Sequence, residues 1–204
     1  MLDVRSAIDS CKTSGRYGVG APGIVLAEKP IGYLVQLAGW PDRFEQAATI
    51  IMQRLGFANL GDYRIAREGE KKVAFNIAPE TILLILDDRE EWEQAATNID
   101  PNELVTLDLS HAKTRITISG NSAKDLLTRV LPVDLHGDVF KEGHFAQTGL
   151  HSAPVLLHRL PDPKKTAVYD LYVPYTWAMS VWHALTSNAL PLGYEVQVVK
   201  SGGT

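Results

Sequence analysis

The feature that most constrains the fold of this chain is an order of secondary-structure patterns that occurs twice along it. In the first pass Ile31, Tyr33, Val35 and Leu37 alternate with smaller or polar neighbours, the period of a strand with one buried face. Pro41 then suits a first helical position, and Phe44, Ala47, Ala48, Ile51 and Leu55 recur as one apolar helical stripe that Gly56 ends. The stretches "DYRIAREG" and "KKVAFNIA" read as strands about a turn at Gly69, and "TILLILD" reads as a buried strand. A helix follows in "DREEWEQAATNI", with Trp92, Ala95, Ala96 and Ile99 on one face, and "LVTLDLS" alternates again.

The second pass repeats that order at an offset of roughly 80 to 90 residues, without appreciable identity. "KTRITIS" is a strand, and "SGNSAKDLLTRVLP" is a helix capped by Ser or Asn, with Ala123, Leu126, Leu127 and Val130 on its apolar face and Pro132 as the stop. "APVLLHRL" and "AVYDLYV" are strands joined by the turn "PDPKKT". "YTWAMSVWHALTSNAL" is a helix burying Ala178, Val181, Trp182 and Leu185, and "YEVQVV" closes the pattern. The expected fold is therefore α+β: two split βαβ halves of ferredoxin-like type, residues 31–110 and 111–204, with helices over one face of mainly antiparallel sheets. Residues 1–30, rich in Gly and Pro and poor in large apolar side chains, read as an extended arm suited to lying on a partner.

Composition excludes several roles. Twenty-four acidic side chains against 20 basic ones leave a net charge of -4, and the densest basic runs, Lys71-Lys72 and Lys164-Lys165, are single pairs in turns, so no nucleic-acid surface is expected. The longest apolar run, Ile82 to Leu86, falls far short of the roughly 20 residues of a membrane helix. No apolar core follows a basic start at the N-terminus, so the cytoplasm is the expected location. The single cysteine, Cys11, has no disulfide partner in the chain and sits in a polar segment where no activating base is visible.

No motif assembles a reactive site. Asp108, Ser110 and His111 are close in sequence, but on a strand and its turn the first two share a side while the histidine departs, and a triad requires convergence. Both side chains are expected to bond turn backbone. His136, His144, His151 and His158 are seven or eight residues apart, without a spacing that places two nitrogens on one metal. Gly15, Gly18, Gly20 and Gly23 lack the preceding strand and the following helix of a phosphate loop and read as flexible. Asp87, Asp88, Glu90 and Glu91 open a helix, where the dipole favours them. Catalytic, cofactor-binding and metal-ligating residues are thus expected to be none. Trp40, Trp177, Trp182, Tyr172 and Tyr175 exceed what two thin helical layers need to hide, which points to a subunit with an interface.

From about Leu104 to Val196 the residues "DLSHAKTRITISGNSAKDLLTRVLPVDLH", "GHFAQTGLHSAPVLLHRL" and "YDLYVPYTWAMSVWHAL" resemble the gamma subunit of heterotetrameric sarcosine oxidase, and "IAPETILLILD" extends the likeness loosely into the first half. The resemblance implies the folate-binding fold of the aminomethyltransferase of the glycine cleavage system, with a strand at the Gln147-Thr148 pair. It implies alpha, beta and delta subunits as partners, in an assembly that demethylates sarcosine to glycine and yields hydrogen peroxide with formaldehyde or methylene-tetrahydrofolate. FAD, FMN and NAD would belong to the alpha and beta subunits, tetrahydrofolate to alpha and zinc to delta, leaving this chain a structural role. Dehydrogenases of other N-methyl amino acids share that architecture. The competing readings are a free-standing folate-dependent one-carbon transferase, with Asp134 or Asp108 near Trp177 as its candidates, and a folate-binding regulator. If residues 1–30 are a docking arm, deletion of residues 1–23 should weaken assembly and spare the fold.

Overall fold

The computed structural model describes residues 6–57, 62–69, 71–161 and 166–198. Its elements in chain order are β1 (Gly15–Tyr17), β2 (Ile24–Lys29), β3 (Tyr33–Ala38), α1 (Pro41–Arg54), β4 (Arg67–Gly69), β5 (Lys72–Ala78), β6 (Thr81–Leu86) and α2 (Arg89–Ala95). These are followed by β7 (Val105–Asp108), β8 (Lys113–Ser119), α3 (Ala123–Val130), β9 (Phe145–Leu150), β10 (Ala153–Arg159), β11 (Tyr169–Pro174), α4 (Ala178–Ala189) and β12 (Tyr194–Val198). Lys164-Lys165 and the centre of the "PDPKKT" turn lie outside the described residues. The fold is α+β with mostly antiparallel sheets, and the chain divides into two compact units, Ile31–His111 and the segments that flank it.

In the inserted unit the strands run in the order β4-β5-β6-β3-β7, all antiparallel. Setting β4 aside, this is the order that a split βαβ motif produces. Alternation sends Tyr33, Val35 and Leu37 of β3 and Ile82, Leu84 and Leu86 of β6 to one face, where Phe44, Ala48 and Ile51 of α1 and Trp92 and Ala95 of α2 cover them. Asp88 caps α2, its carboxylate accepting from Glu91 N–H, with Glu90 and Glu91 in the first turn as the dipole favours.

The other unit holds a seven-stranded sheet in the order β1-β12-β2-β8-β11-β10-β9. Ile24 and Leu26 of β2, Ile116 and Ile118 of β8, and Tyr169, Leu171 and Val173 of β11 form its helix-covered face, under Leu126 and Leu127 of α3 and Val181, Trp182 and Leu185 of α4. A split βαβ motif alone would lay β12 against β8. Here β2 separates them, parallel to β12 with Ile24 opposite Tyr194 and antiparallel to β8 with Ala27 opposite Thr117.

Residues 6–30 are therefore not an arm. They supply an edge strand and an interior strand of the sheet. Ile8 is fully buried in the core, Trp182 Nε1 donates to the Cys11 carbonyl at 3.2 Å, and Ser6 and Lys12 bond the Glu28 carboxylate. Of the glycines that read as flexible, Gly18 is demanded by close approach, as is Gly120 before α3. Gly18 has φ 85°, and a Cβ there would lie 2.3 Å from the Leu190 carbonyl; at Gly120, φ 107°, it would lie 2.4 Å from the Gly23 carbonyl. The loop before β2 is wedged between the end of α4 and the start of α3, where Ser122 N–H donates to Gly23 O at 2.9 Å. Ser122 occupies the N-cap position of α3 without a side-chain cap bond, so the expected Ser cap is replaced by this backbone contact.

Candidate functional site

The side chains that the sequence brings forward are placed by local structure and kept apart. Asp108 ends β7, and its Oδ1 accepts from Ser110 N–H at 2.9 Å, while Ser110 Oγ accepts from Leu34 N–H at 3.1 Å. Partial burial raises the Asp108 pKa, but the Ser110 N–H and hydroxyl, with Arg89 and His111, outweigh it and hold the acid below its ordinary value. Both side chains serve backbone, and His111 is exposed. β7 and β8 belong to different sheets, so the strand, tight turn and strand expected here are instead the passage from one unit to the other.

His136 is exposed beside Asp138, at 3.6 Å, and His144 meets the ring of Phe140 edge-on. His151 takes a left-handed turn conformation, φ 53°, between β9 and β10, and His158 is buried within β10. Among the described residues no three His, Cys, Asp or Glu side chains gather as a metal site would require. Asp134 is exposed and accepts from His136 N–H at 2.9 Å, and Trp177 is partly exposed. Cys11 lies in an ordered turn, its Sγ donating to the Ile8 carbonyl at 3.3 Å; burial pushes its thiol pKa up, against activation.

The densest buried polar group is one the sequence reading did not single out. Along β8, Thr114, Ile116 and Ile118 turn to the helices, which leaves Lys113, Arg115, Thr117 and Ser119 on the opposite face. Across the ladder, Thr117 faces Asp170 and Arg115 faces Tyr172; on the far side of β11, Asp170 faces His158. Asp170 is fully buried. Arg115 donates to its Oδ2 through Nε at 2.8 Å and Nη2 at 2.6 Å, and Thr117 Oγ1 donates to Oδ1 at 2.6 Å. Arg115 Nη1 also reaches the Pro30 carbonyl at 3.5 Å, behind the end of β2. Burial pulls the Arg115 pKa down, and Asp170, with Tyr172, outweighs it to leave the guanidinium's pKa raised.

Both oxygens of this carboxylate are occupied by donors, one of them a fixed cation. Such an acid locks register between neighbouring strands. Lys113, two residues before Arg115 on the same face, has no ion-pair partner among the described residues, and burial lowers its pKa. Two sequence signals marked the cluster: one acid inside the apolar "VYDLYV", and the strict polar alternation of "KTRITIS". A polar strand face ordinarily meets water, and only the tertiary structure buries this one.

The duplicated order, the interposed β2 and the helix-covered sheet place this chain among solved structures. In fold it is similar to a chain of a heterotetrameric sarcosine oxidase. That protein, from Corynebacterium sp. U-96 and solved in complex with pyrrole 2-carboxylate, superposes with a TM-score of 0.74 at 17% identity over 92% of this chain and 95% of that chain. The glycine cleavage system aminomethyltransferase T from Bartonella henselae superposes with a TM-score of 0.55 at 12% identity over 87% of this chain, which spans about half, 48%, of that protein. No protein-family model and no curated protein matches the sequence. The sarcosine oxidase chain is thus matched nearly end to end, the aminomethyltransferase only in part.

Proposed function

We propose that this chain is the gamma-type subunit of a heterotetrameric, flavin-dependent sarcosine oxidase, with an assembly role and no catalytic residues of its own. The observation that carries the reading is the match in fold of 92% of this chain to 95% of a chain from such an enzyme. The local chemistry supports it. Asp108 and Ser110 are engaged with backbone, Asp134 is exposed, and the buried acid Asp170 is saturated by Arg115 and Thr117. In this reading alpha, beta and delta subunits are the partners, and FAD, FMN, NAD, tetrahydrofolate and zinc reside on them; a complex acting on another N-methyl amino acid would use the same chain.

Native mass spectrometry of the chain purified at endogenous level from its own cell tests this. The expected particle contains three further polypeptides and absorbs as a flavoprotein. A lone monomer or a homo-oligomer overturns the subunit reading, and in that case tetrahydrofolate titration decides for the one-carbon transferase or folate-binding regulator.

A further inference from the structure

From Leu171 through Tyr194 the chain carries no Asp, Glu, Lys or Arg, where its overall charged content of 22% would place roughly five. β11 is buried and accounts for its own share of that stretch. α4 and the turn before it do not: Thr176 and Trp177 in that turn, and Met179, Ser180, His183 and Ser187 on the helix, are all exposed. The outer faces of the other helices are ordinary by comparison. α1 exposes Asp42, Arg43, Glu45 and Arg54, α2 exposes Arg89, Glu90 and Glu93, and α3 exposes Asp125 and Arg129. Depletion of charge, with aromatic residues and Met left in the light, is the compositional mark of the centre of a protein interface.

The exposed apolar groups stand at the two ends of α4, with the uncharged polar side chains Ser180, His183 and Ser187 exposed between them. Tyr175 at 43%, Trp177 at 39% and Met179 at 45% exposure stand at its start, and Leu190 at 47% stands at its end. Val19, at 83%, continues the surface from the neighbouring loop, where Gly18 abuts the Leu190 carbonyl. Tyr and Trp present large rigid area at little entropic cost, which suits anchors.

Charge decides what covers this surface. An anionic lipid surface or a nucleic acid would be met by Lys or Arg, and the stretch has neither. A charged peptide would lose its hydration here without a counter-charge. The complement is a protein surface that is itself uncharged and apolar. We propose that the outer face of α4, from Tyr175 to Leu190 with Val19 beside it, is the docking surface for a different subunit of the complex, whose facing patch carries no unpaired charge. This rests on the subunit reading above.

The experiment compares the endogenous complex with the isolated chain. In the isolated chain Met179 should be oxidised readily by hydrogen peroxide, and in the complex at least about tenfold more slowly, read by peptide mass; buried Met52 serves as the reference for an intact fold. Equal rates of Met179 oxidation in the two states overturn the assignment and leave the subunit reading standing. In parallel, Met179→Lys and Trp177→Glu should each cut the fraction of chain in the assembly at least about tenfold while the isolated chain keeps its circular dichroism, and Glu93→Lys on α2 should assemble as the natural chain does. Undiminished assembly of both α4 variants likewise overturns the surface. A natural chain that joins no heteromeric complex overturns the subunit reading itself, and a homo-oligomer broken by Met179→Lys overturns the choice of a different subunit as occupant.

Discussion

Asp170 shows how a single residue is chosen by its neighbours. A carboxylate with no exposure is tolerable because three donors from β8 close on it, and removing it leaves Arg115 largely buried without its counter-ion. Asp170→Ala is expected to cost about 3 kcal/mol of folding stability, read from urea denaturation, while Asp170→Leu combined with Arg115→Met should recover most of it. Equal loss in the single and double variants would mean that packing, not the pair, holds the strands. Lys113 carries the opposite sign. Burial lowers its folded pKa, so in the interval between the folded value and the ordinary lysine range the unfolded chain binds more protons and stability rises with pH. Lys113→Met should raise the urea midpoint at pH 7, and its advantage over the natural chain should shrink by pH 10; a constant advantage would assign the effect to packing. The apolar stripes of α1 and α4 were legible because burial follows periodicity. This cluster was legible only as a polar strand face, since nothing local tells whether such a face meets water or protein.

At the scale of elements, β2 is the instructive case. "IVLAEK" opens with a run of four apolar residues, as a buried strand can, yet it stands between glycine and proline signals that favour an irregular reading. The structure gives it neighbours on both edges, and Ile24 and Leu26 are fully buried. Deletion of residues 1–23 therefore has a different expected outcome from that of trimming an arm. It removes β1, the buried Ile8 and the Cys11 carbonyl that receives Trp182, and leaves β2 without its entry loop. The shortened chain should lose cooperative unfolding and aggregate, as seen by calorimetry and size exclusion. A folded, soluble product of unchanged melting temperature would return these residues to the status of an arm.

At the scale of the whole molecule, the two units differ in how the chain reaches them. Ile31–His111 is continuous, whereas the other unit pairs β2 with β8 across the intervening insertion, Lys29 lying opposite Arg115. Contacts of long sequence separation are slow to form. Refolding from urea is expected to bury Trp92, in the continuous unit, before Trp182, in the interrupted one, when each is the sole tryptophan followed by fluorescence. Simultaneous signals from both would show that the units fold as one.

From residue 31 onward, element types, the duplicated order and the helix-covered faces were determined by the sequence alone, because periods of two and of 3.6 residues fix which side chains can share a surface. The pairing of β2 between β12 and β8, the closure of Arg115 and Thr117 on Asp170, and the exposure of an uncharged helix face were decided only in the tertiary structure. Each depends on residues far apart in the chain meeting or failing to meet, and local propensity carries no information about that.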